Sequence, residues 1–233
     1  MSAVLTHQPP APTVEVTDAV KRYRDGRREI VAVDRLTLAV DAGSLLAVTG
    51  PSGSGKTTLL GILGGLITPT SGDARICGRS VVRLRDHHRA RWRRAHVGFV
   101  LQDLALIDGM TVLENALLPL APSGGASSAD VAQARTRLAH FGLADRVEVK
   151  ARTLSGGERQ RAAIVRALAH DPDVLLLDEP TAHLDQDNVS RVVGMLAELR
   201  DAGRTIVVAT HDPRLYDAPA VDRAVRLVDG RLG

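Results

Sequence analysis

The chain is poor in aromatic residues and cysteine, and it contains no long apolar run. Aromatics make up 2% of its 233 residues, which argues against the stacking surfaces that bind single-stranded nucleic acid. One cysteine, Cys77, cannot form an intramolecular disulfide, so we expect it to be a small buried residue in a reducing compartment. No segment approaches the roughly eighteen apolar residues that span a bilayer. We therefore expect membrane association, if present, to come through a partner.

The remaining composition is typical of a globular protein. Hydrophobic residues make up 44% and charged residues 24% of the chain. The formal net charge is +3 and the arginines are spread along the chain, so we expect no nucleic-acid partner. An exception is the arginine-rich run 83–94, which could contact anionic lipid headgroups or nucleic acid, or form the solvated face of a helix.

The first part of the chain is predicted to form a tail followed by antiparallel strands. Residues 1–12 are rich in proline and are predicted to be a flexible tail. Alternating apolar residues predict a strand from Val14 and two further strands at 30–33 and 36–40. An antiparallel β region is therefore expected before the main core.

The rest of the chain has the pattern of an α/β protein. Continuous apolar runs at 45–48, 174–177 and 206–209 are typical of strands covered on both faces. Helical spacing between such runs predicts a parallel sheet with helices between its strands. Residues 103 to about 160 are predicted to be a mainly helical insertion in this core.

A glycine-rich segment connects the run 45–48 to an apolar helix, and its spacing G-x-x-x-x-G-K-T is typical of a phosphate-binding loop. Glycines allow backbone N–H groups to turn inward, and the positive end of the next helix favours the anion that they surround. Lys56 would supply a charge for the outer phosphates, and the Thr57 hydroxyl could ligate Mg²⁺. The segment consists of Gly50, Pro51, Ser52, Gly53, Ser54, Gly55, Lys56, Thr57 and Thr58.

Two carboxylates, Asp178 and Glu179, directly follow the predicted strand 174–177. An open α/β sheet presents its ligands at this end of its strands. Asp178 could hold Mg²⁺ through water, and Glu179 could orient and deprotonate an attacking water. In isolation the same residues could form a helix-capping turn.

A second candidate anion site lies at Ser155-Gly156-Gly157, before a helical stretch. The helix start presents exposed N–H groups and a hydroxyl. Because one nucleotide does not need two such sites, we interpret this one as completing the phosphate site of another copy of the chain.

In chain order, these segments resemble the Walker A, Q-loop, signature, Walker B, D-loop and switch-histidine motifs of an ABC-type ATPase: Gly50–Thr58, Gln102, Leu154–Glu158, Val174–Pro180, Leu184-Asp185 and His211. The signature segment discriminates this family from other phosphate-loop proteins. The resemblance covers about residues 13–230 and implies a RecA-like P-loop NTPase core within one nucleotide-binding domain, residues 13–233.

The resemblance also implies ligands and roles. ATP and Mg²⁺ would bind between two copies of the chain, with Tyr23 stacking on adenine. Gln102 would sense the metal and the γ-phosphate, and His211 would contact the γ-phosphate. Leu154, Ser155, Gly156, Gly157 and Glu158 would complete the opposite subunit's site, and Asp185 would communicate across the dimer.

Several segments are similar to the macrolide-export and lipoprotein-release type (MacB/LolD), to which FtsE is related: 64–72, 97–102 and 111–116. This implies a permease partner with few transmembrane helices and an extracytoplasmic domain, and a peripheral location on the cytoplasmic face of the plasma (inner) membrane. His183 and Leu101 depart from the family pattern, which usually has a small or amide side chain and an aromatic there.

The expected function is that of an ATP-hydrolysing subunit that drives a membrane partner in export or mechanotransmission. An FtsE-like regulatory ATPase that moves no solute is the main alternative. A soluble ATPase of DNA repair or translation would need insertions for which the chain has no room. In a small-molecule kinase the signature segment would have no role.

Overall fold

The computed structural model describes residues 13–26 and 28–233, so the predicted tail 1–12 lies outside the described residues. The strands are β1 (Val14–Asp25), β2 (Arg28–Val40), β3 (Leu45–Thr49), β4 (Ser71–Ile76), β5 (Arg79–Ser80), β6 (Val97–Val100), β7 (Val174–Asp178), β8 (Thr205–Ala209), β9 (Arg223–Val228) and β10 (Arg231–Leu232). The α-helices are α1 (Lys56–Leu63), α2 (Asp86–His96), α3 (Val112–Leu117), α4 (Ser128–His140), α5 (Gly156–Ala167), α6 (Gln186–Asp201) and α7 (Pro213–Tyr216). The expected mixture of an antiparallel region and an α/β core is confirmed.

The antiparallel sheet has the strand order β2-β1-β4-β5. The prediction of two strands at 30–33 and 36–40 is wrong, because β2 is continuous across both segments. The β1–β2 register shifts between the pairs Ala19↔Leu36 and Lys21↔Val33. Such a bulge absorbs extra residues without ending the ladder, and Arg35 takes a left-handed conformation there with φ of 48°.

The larger sheet has the order β10-β9-β3-β8-β7-β6, with parallel pairing from β9 to β6 and an antiparallel β10. Successive residues of β7 enter opposite cores: Leu175 and Leu177 pack on one face, and Val174 and Leu176 on the other. Because side chains alternate along a strand, a strand buried on both faces needs an unbroken apolar run. This explains the sequence pattern of the central strands.

Between β6 and β7, the regular elements are helices. Within the predicted helical insertion, α3 ends at Leu117 and a 3₁₀-helix follows over Leu118–Ser123. Pro119 and Pro122 lie in that stretch and lack the N–H that an α-helix requires. Helices α3, α4 and α5 each begin with a capping box, in which a hydroxyl side chain and an acidic side chain exchange hydrogen bonds with backbone N–H groups.

The arginine-rich run falls largely in α2, which has no buried residue. Its side chains are nonetheless partly engaged, because Arg93 donates to the carbonyl of Gly65 at 3.0 Å. In the part of the chain that the structure describes, no helix combines the length and apolarity required to cross a membrane.

Candidate functional site

A cleft of about 660 Å³ opens where β3 and β7 end. Most of the residues predicted to bind a nucleotide meet there, although they come from distant parts of the chain. The predicted residues that line it are Tyr23, Pro51, Ser52, Gly53, Gly55, Lys56, Thr57, Thr58, Gln102, Asp178, Glu179 and His211.

The loop between β3 and α1 is packed so closely that two of its positions must be glycine. A Cβ on Gly55 would lie 2.1 Å from the carbonyl oxygen of Ala32 in β2, and one on Gly50 would lie 2.1 Å from that of Leu227 in β9. Both glycines have positive φ angles, 103° and 145°, which other residues rarely adopt. Inside the loop, the buried hydroxyl of Ser54 has no hydrogen-bond partner among the described residues. The Ser54 hydroxyl can therefore form a further hydrogen bond beside the N-terminus of α1, where anions are favoured.

Lys56 holds a nearly buried positive charge at this loop. Its Nζ donates to the carbonyl oxygens of Gly50 and Pro51 at 2.8 and 3.1 Å. It also lies 3.7 Å from Oε1 of Glu179, with both side chains no more than a tenth exposed. These contacts compensate the burial of the ammonium group and hold it at the position where the loop would receive phosphate oxygens.

Asp178 and Thr57 form a pair of oxygen donors suited to a hard divalent cation. The Thr57 hydroxyl donates to Oδ2 of Asp178 at 2.7 Å, and the buried Oδ1 has no partner among the described residues. Burial raises the pKa of the Asp178 carboxyl, and the Glu179 carboxylate raises it further, while the Thr57 hydrogen bond opposes them. A desolvated carboxylate with a free oxygen beside a hydroxyl fits the ligand preferences of Mg²⁺.

Glu179 links the phosphate loop to the turn that carries His211. Its Oε1 lies 2.9 Å from Nδ1 of His211, and its Oε2 accepts from the His211 backbone N–H at 3.3 Å. Its own N–H donates to Ala209 at 2.8 Å, and its φ is 49°. The carboxylate is thereby aimed into the cleft between a cation and an imidazole.

Tyr23 lies at the rim of the cleft with 39% of its surface exposed. The Nζ of Lys21 is 5.2 Å from the ring centroid. The exposed part of the ring is available to a flat ligand, as a stacking role requires. Gln102, two residues beyond β6, also lines the cleft.

The predicted signature residues do not reach the cleft of their own chain. Ser155 caps α5, and Glu158 accepts from the Ser155 N–H at 2.8 Å and from Nε of Arg146 at 2.8 Å. These two donors lower the pKa of Glu158. Leu154 is only 8% exposed and packs in the hydrophobic core, whereas Ser155 and Gly156 are exposed. Asp185 caps α6 by accepting from the Asn188 N–H at 2.8 Å. Ser155, Gly156 and Asp185 form an outward-facing group.

His183 also lines the cleft, which the sequence did not suggest. It has a left-handed backbone conformation with φ of 62°. In the sequence, histidine at position 183 departs from the family pattern, but this departure does not indicate where the side chain lies.

Comparisons with known proteins agree on one family. The ABC transporter family matches residues 33–182. The lipoprotein-releasing system ATP-binding protein LolD of Chromohalobacter salexigens is 43% identical over 211 residues, which cover 90% of this chain and 88% of that protein. The macrolide export ATP-binding/permease protein MacB of Salmonella typhimurium is 37% identical over 219 residues, which cover 94% of this chain but 34% of MacB. Among solved structures, the dimeric ATP-binding cassette MJ0796 bound to ADP and phosphate is similar, with a TM-score of 0.86, 34% identity and coverage of 94% of this chain and 96% of that one.

Proposed function

The chain belongs to the ABC transporter family, and we propose that its cleft binds MgATP against a second copy of the chain and transmits the resulting closure to a membrane permease. It is an ATP-hydrolysing subunit of the MacB/LolD-like type. The observation that carries the proposal is the convergence of Lys56, the Thr57–Asp178 pair and the Glu179–His211 pair on one cleft.

Each of these groups has a distinct role in the proposal. Lys56 binds the outer phosphates, and the Gly50–Thr58 loop surrounds them with N–H groups. Thr57 and Asp178 would hold Mg²⁺, with Gln102 near it. The metal would neutralise the charge that develops on the transferred phosphoryl group. The free Oδ1 of Asp178 and its hydroxyl neighbour support this assignment.

Glu179 is the proposed base. It takes a proton from the attacking water at Oε1 or Oε2, while His211 and Lys56 fix the orientation of its carboxylate. His211 is 70% exposed in its side chain, so it can also turn toward a γ-phosphate. Tyr23 contributes the surface on which the adenine stacks.

A second copy of the chain completes the site. The outward position of Ser155 and Gly156, at the start of α5, presents N–H groups that this chain's own cleft does not use. The similar cassette MJ0796 has been solved as a dimer in a post-hydrolysis state. We therefore assign the exposed residues Ser155, Gly156 and Asp185 to the contact across the dimer, whereas the buried Leu154 holds the segment in place.

The membrane partner is proposed to be a permease with few transmembrane helices and an extracytoplasmic domain, which places this chain at the cytoplasmic face of the inner membrane. The names of the relatives associate LolD with lipoprotein release and MacB with macrolide export. Leu101, which directly precedes Gln102, is 40% exposed, and Ile107, five positions after Gln102, is 43% exposed. They offer an apolar contact surface next to a residue of the nucleotide site.

The substitution Glu179→Gln tests this mechanism. It should lower steady-state ATP turnover by about a hundredfold, because the base is lost, and it should leave ATP affinity unchanged because the phosphate loop is intact. Glu198→Gln is the matched control, since Glu198 lies 2.7 Å from Nε2 of His140 in an exposed pair far from the cleft. Wild-type turnover in Glu179→Gln would contradict the assignment.

The same variant can identify the partner. When it is trapped with MgATP in native membranes and purified, a permease with few helices should accompany it. Recovery of a many-helix channel would contradict the MacB/LolD type of partner, and recovery of no membrane protein would contradict the permease itself.

A further inference from the structure

Three side chains with metal-ligating atoms meet on the side of the protein away from the nucleotide cleft. They are Cys77 after β4, His96 at the end of α2 and Asp173 before β7, and their ligand atoms all lie within 4.8 Å of one another. Nδ1 of His96 is 2.6 Å from Oδ2 of Asp173, and Sγ of Cys77 is 3.8 Å from the same oxygen. None of the three lines the nucleotide cleft.

The backbone of the two sheets brings these residues together. Val97 pairs with Val174 in the β6–β7 ladder, which places the preceding residues of both strands side by side. The ring of Trp92 packs against that of His96 in a tilted arrangement, with the ring centroids 4.1 Å apart, and Nε1 of Trp92 donates to the carbonyl of Ile76 at 3.1 Å. Trp92 therefore anchors α2 to the end of β4, where Cys77 follows.

The cluster has an unbalanced set of charges. Among the described residues, Asp173 forms no ion pair with a lysine or arginine, and His96 is its one potential cation. Burial raises the pKa of the Cys77 thiol to about 11, and the Asp173 carboxylate contributes to the rise. In the structure the Cys77 thiol donates weakly to the Asp173 carboxylate, with 3.8 Å between Sγ and Oδ2. The cluster is then a set of hydrogen bonds, which is the alternative to a metal site.

We propose that Cys77, His96 and Asp173 bind a divalent transition-metal ion of the zinc type. A thiolate, an imidazole and a carboxylate are the three ligand classes that Zn²⁺ accepts, and the thiolate disfavours Mg²⁺ and Ca²⁺. On binding, the thiol proton leaves to solvent as the sulfur–metal bond forms, and the Nδ1 proton that His96 shares with Asp173 moves to Nε2 or to solvent, which frees the Nδ1 lone pair for the metal.

The observed distances suit this geometry after a small adjustment. Bond lengths of about 2.0–2.3 Å in a tetrahedron separate neighbouring ligand atoms by roughly 3.3–3.7 Å. The distance between Cys77 and Asp173 is close to that value, and the distance between His96 and Asp173 must lengthen by about 1 Å. The Asp173 side chain is 54% exposed, so its rotation can supply this change.

A cavity next to the cluster gives the ion access and a fourth ligand. It has a volume of about 430 Å³ and is lined by Cys77, Asp173, Thr13 and Gly203, among others. Water in this cavity fills the open coordination position. The bound ion joins the end of β4, the end of α2 and the start of β7, so it stabilises the contact between the two sheets without entering the nucleotide cleft.

Cobalt titration of the untagged, metal-stripped full chain tests the proposal. Because the chain contains a single cysteine, a sulfur-to-cobalt charge-transfer band can arise only from Cys77. We expect this band to appear with one Co²⁺ per chain and to disappear when Zn²⁺ is added. It should be absent in Cys77→Ser, and His96→Gln should weaken Co²⁺ affinity by about tenfold or more.

His140→Gln is the matched control, because His140 also pairs with a carboxylate, Glu198, but far from the cluster. It should bind Co²⁺ like the wild type, and basal ATP turnover should be the same in all variants. As a measurement on the unmodified chain, Zn²⁺ should slow the labelling of Cys77 by a thiol reagent. If the wild type shows no band, or if its labelling rate does not change with Zn²⁺, the three residues form only a hydrogen-bonded cluster and the proposal is overturned.

Discussion

The substitution Asp178→Asn should make the free protein more stable while it abolishes the response to magnesium. Asp178 is only 5% exposed and one of its oxygens has no partner among the described residues. Burying a carboxylate costs several kcal/mol, of which neutralisation recovers about 2–3 kcal/mol. The Thr57 hydrogen bond weakens by about 1 kcal/mol when its acceptor loses its charge. The net gain is about 1–2 kcal/mol, or about 2–8 °C in Tm for a chain of this length.

The stability that Asp178→Asn gains over the wild type should increase with pH. The pKa of Asp178 is raised above its ordinary value of 3.8, so the native state binds this proton more tightly than the unfolded state does. The wild type therefore loses stability as the pH rises through the raised pKa, and it carries no such cost below about pH 4. The difference in Tm between Asp178→Asn and the wild type should be larger at pH 7 than at pH 4.

Thermal denaturation with ADP, with and without Mg²⁺, measures both effects in one experiment. A ligand that binds only the native state raises Tm, so Mg²⁺ should add to the ADP effect in the wild type and not in Asp178→Asn. Asp41→Asn, at an exposed position before β3, controls for the loss of one negative charge. An undiminished magnesium effect in Asp178→Asn, or a Tm below that of the wild type at pH 7, would refute this reasoning.

Two further substitutions test the phosphate loop and the helical segment. Gly55→Ala should abolish ATP binding in an equilibrium assay, since its Cβ would lie 2.1 Å from the Ala32 oxygen. A Cβ on Gly53 would meet no atom within 4 Å, so Gly53→Ala carries only the strain of its positive φ of 78° and should lose less affinity; equal affinities would contradict the steric argument. Asn115→Ala should lower the free energy of unfolding in urea by about 2–4 kcal/mol, because the fully buried amide exchanges hydrogen bonds with Ile107 at 2.7 and 3.0 Å. A loss below about 1 kcal/mol would show that water replaces those bonds.

The sequence predicted the parallel core and most of the cleft, because both depend on local patterns. Continuous apolar runs fix strands such as β7 and β8, and the spacing of glycine, lysine and threonine fixes the loop at Gly50–Thr58. The Thr57–Asp178 contact could be expected as well, since both residues follow strands of one parallel sheet.

The features that the sequence did not predict depend on register and on long-range packing. The continuity of β2 results from a bulge against β1, which apolar alternation alone does not reveal. Cys77 and Asp173 are 96 positions apart, and they meet only because of the β6–β7 register and the Trp92 anchor. His183 lies in the cleft because its backbone takes a left-handed conformation. Histidine does not require that conformation, so the residue type does not predict it.

The phosphate loop is attached to both sheets at once. The backbone carbonyl of Ser54 accepts from the N–H of Gly230 at 3.0 Å, and the carbonyl of Gly230 accepts from the N–H of Asp34 in β2 at 2.9 Å. Because the Ala32 carbonyl oxygen also lies against Gly55, sliding of one sheet past the other would narrow or widen the loop. The relative position of the two sheets and the shape of the phosphate loop are therefore coupled.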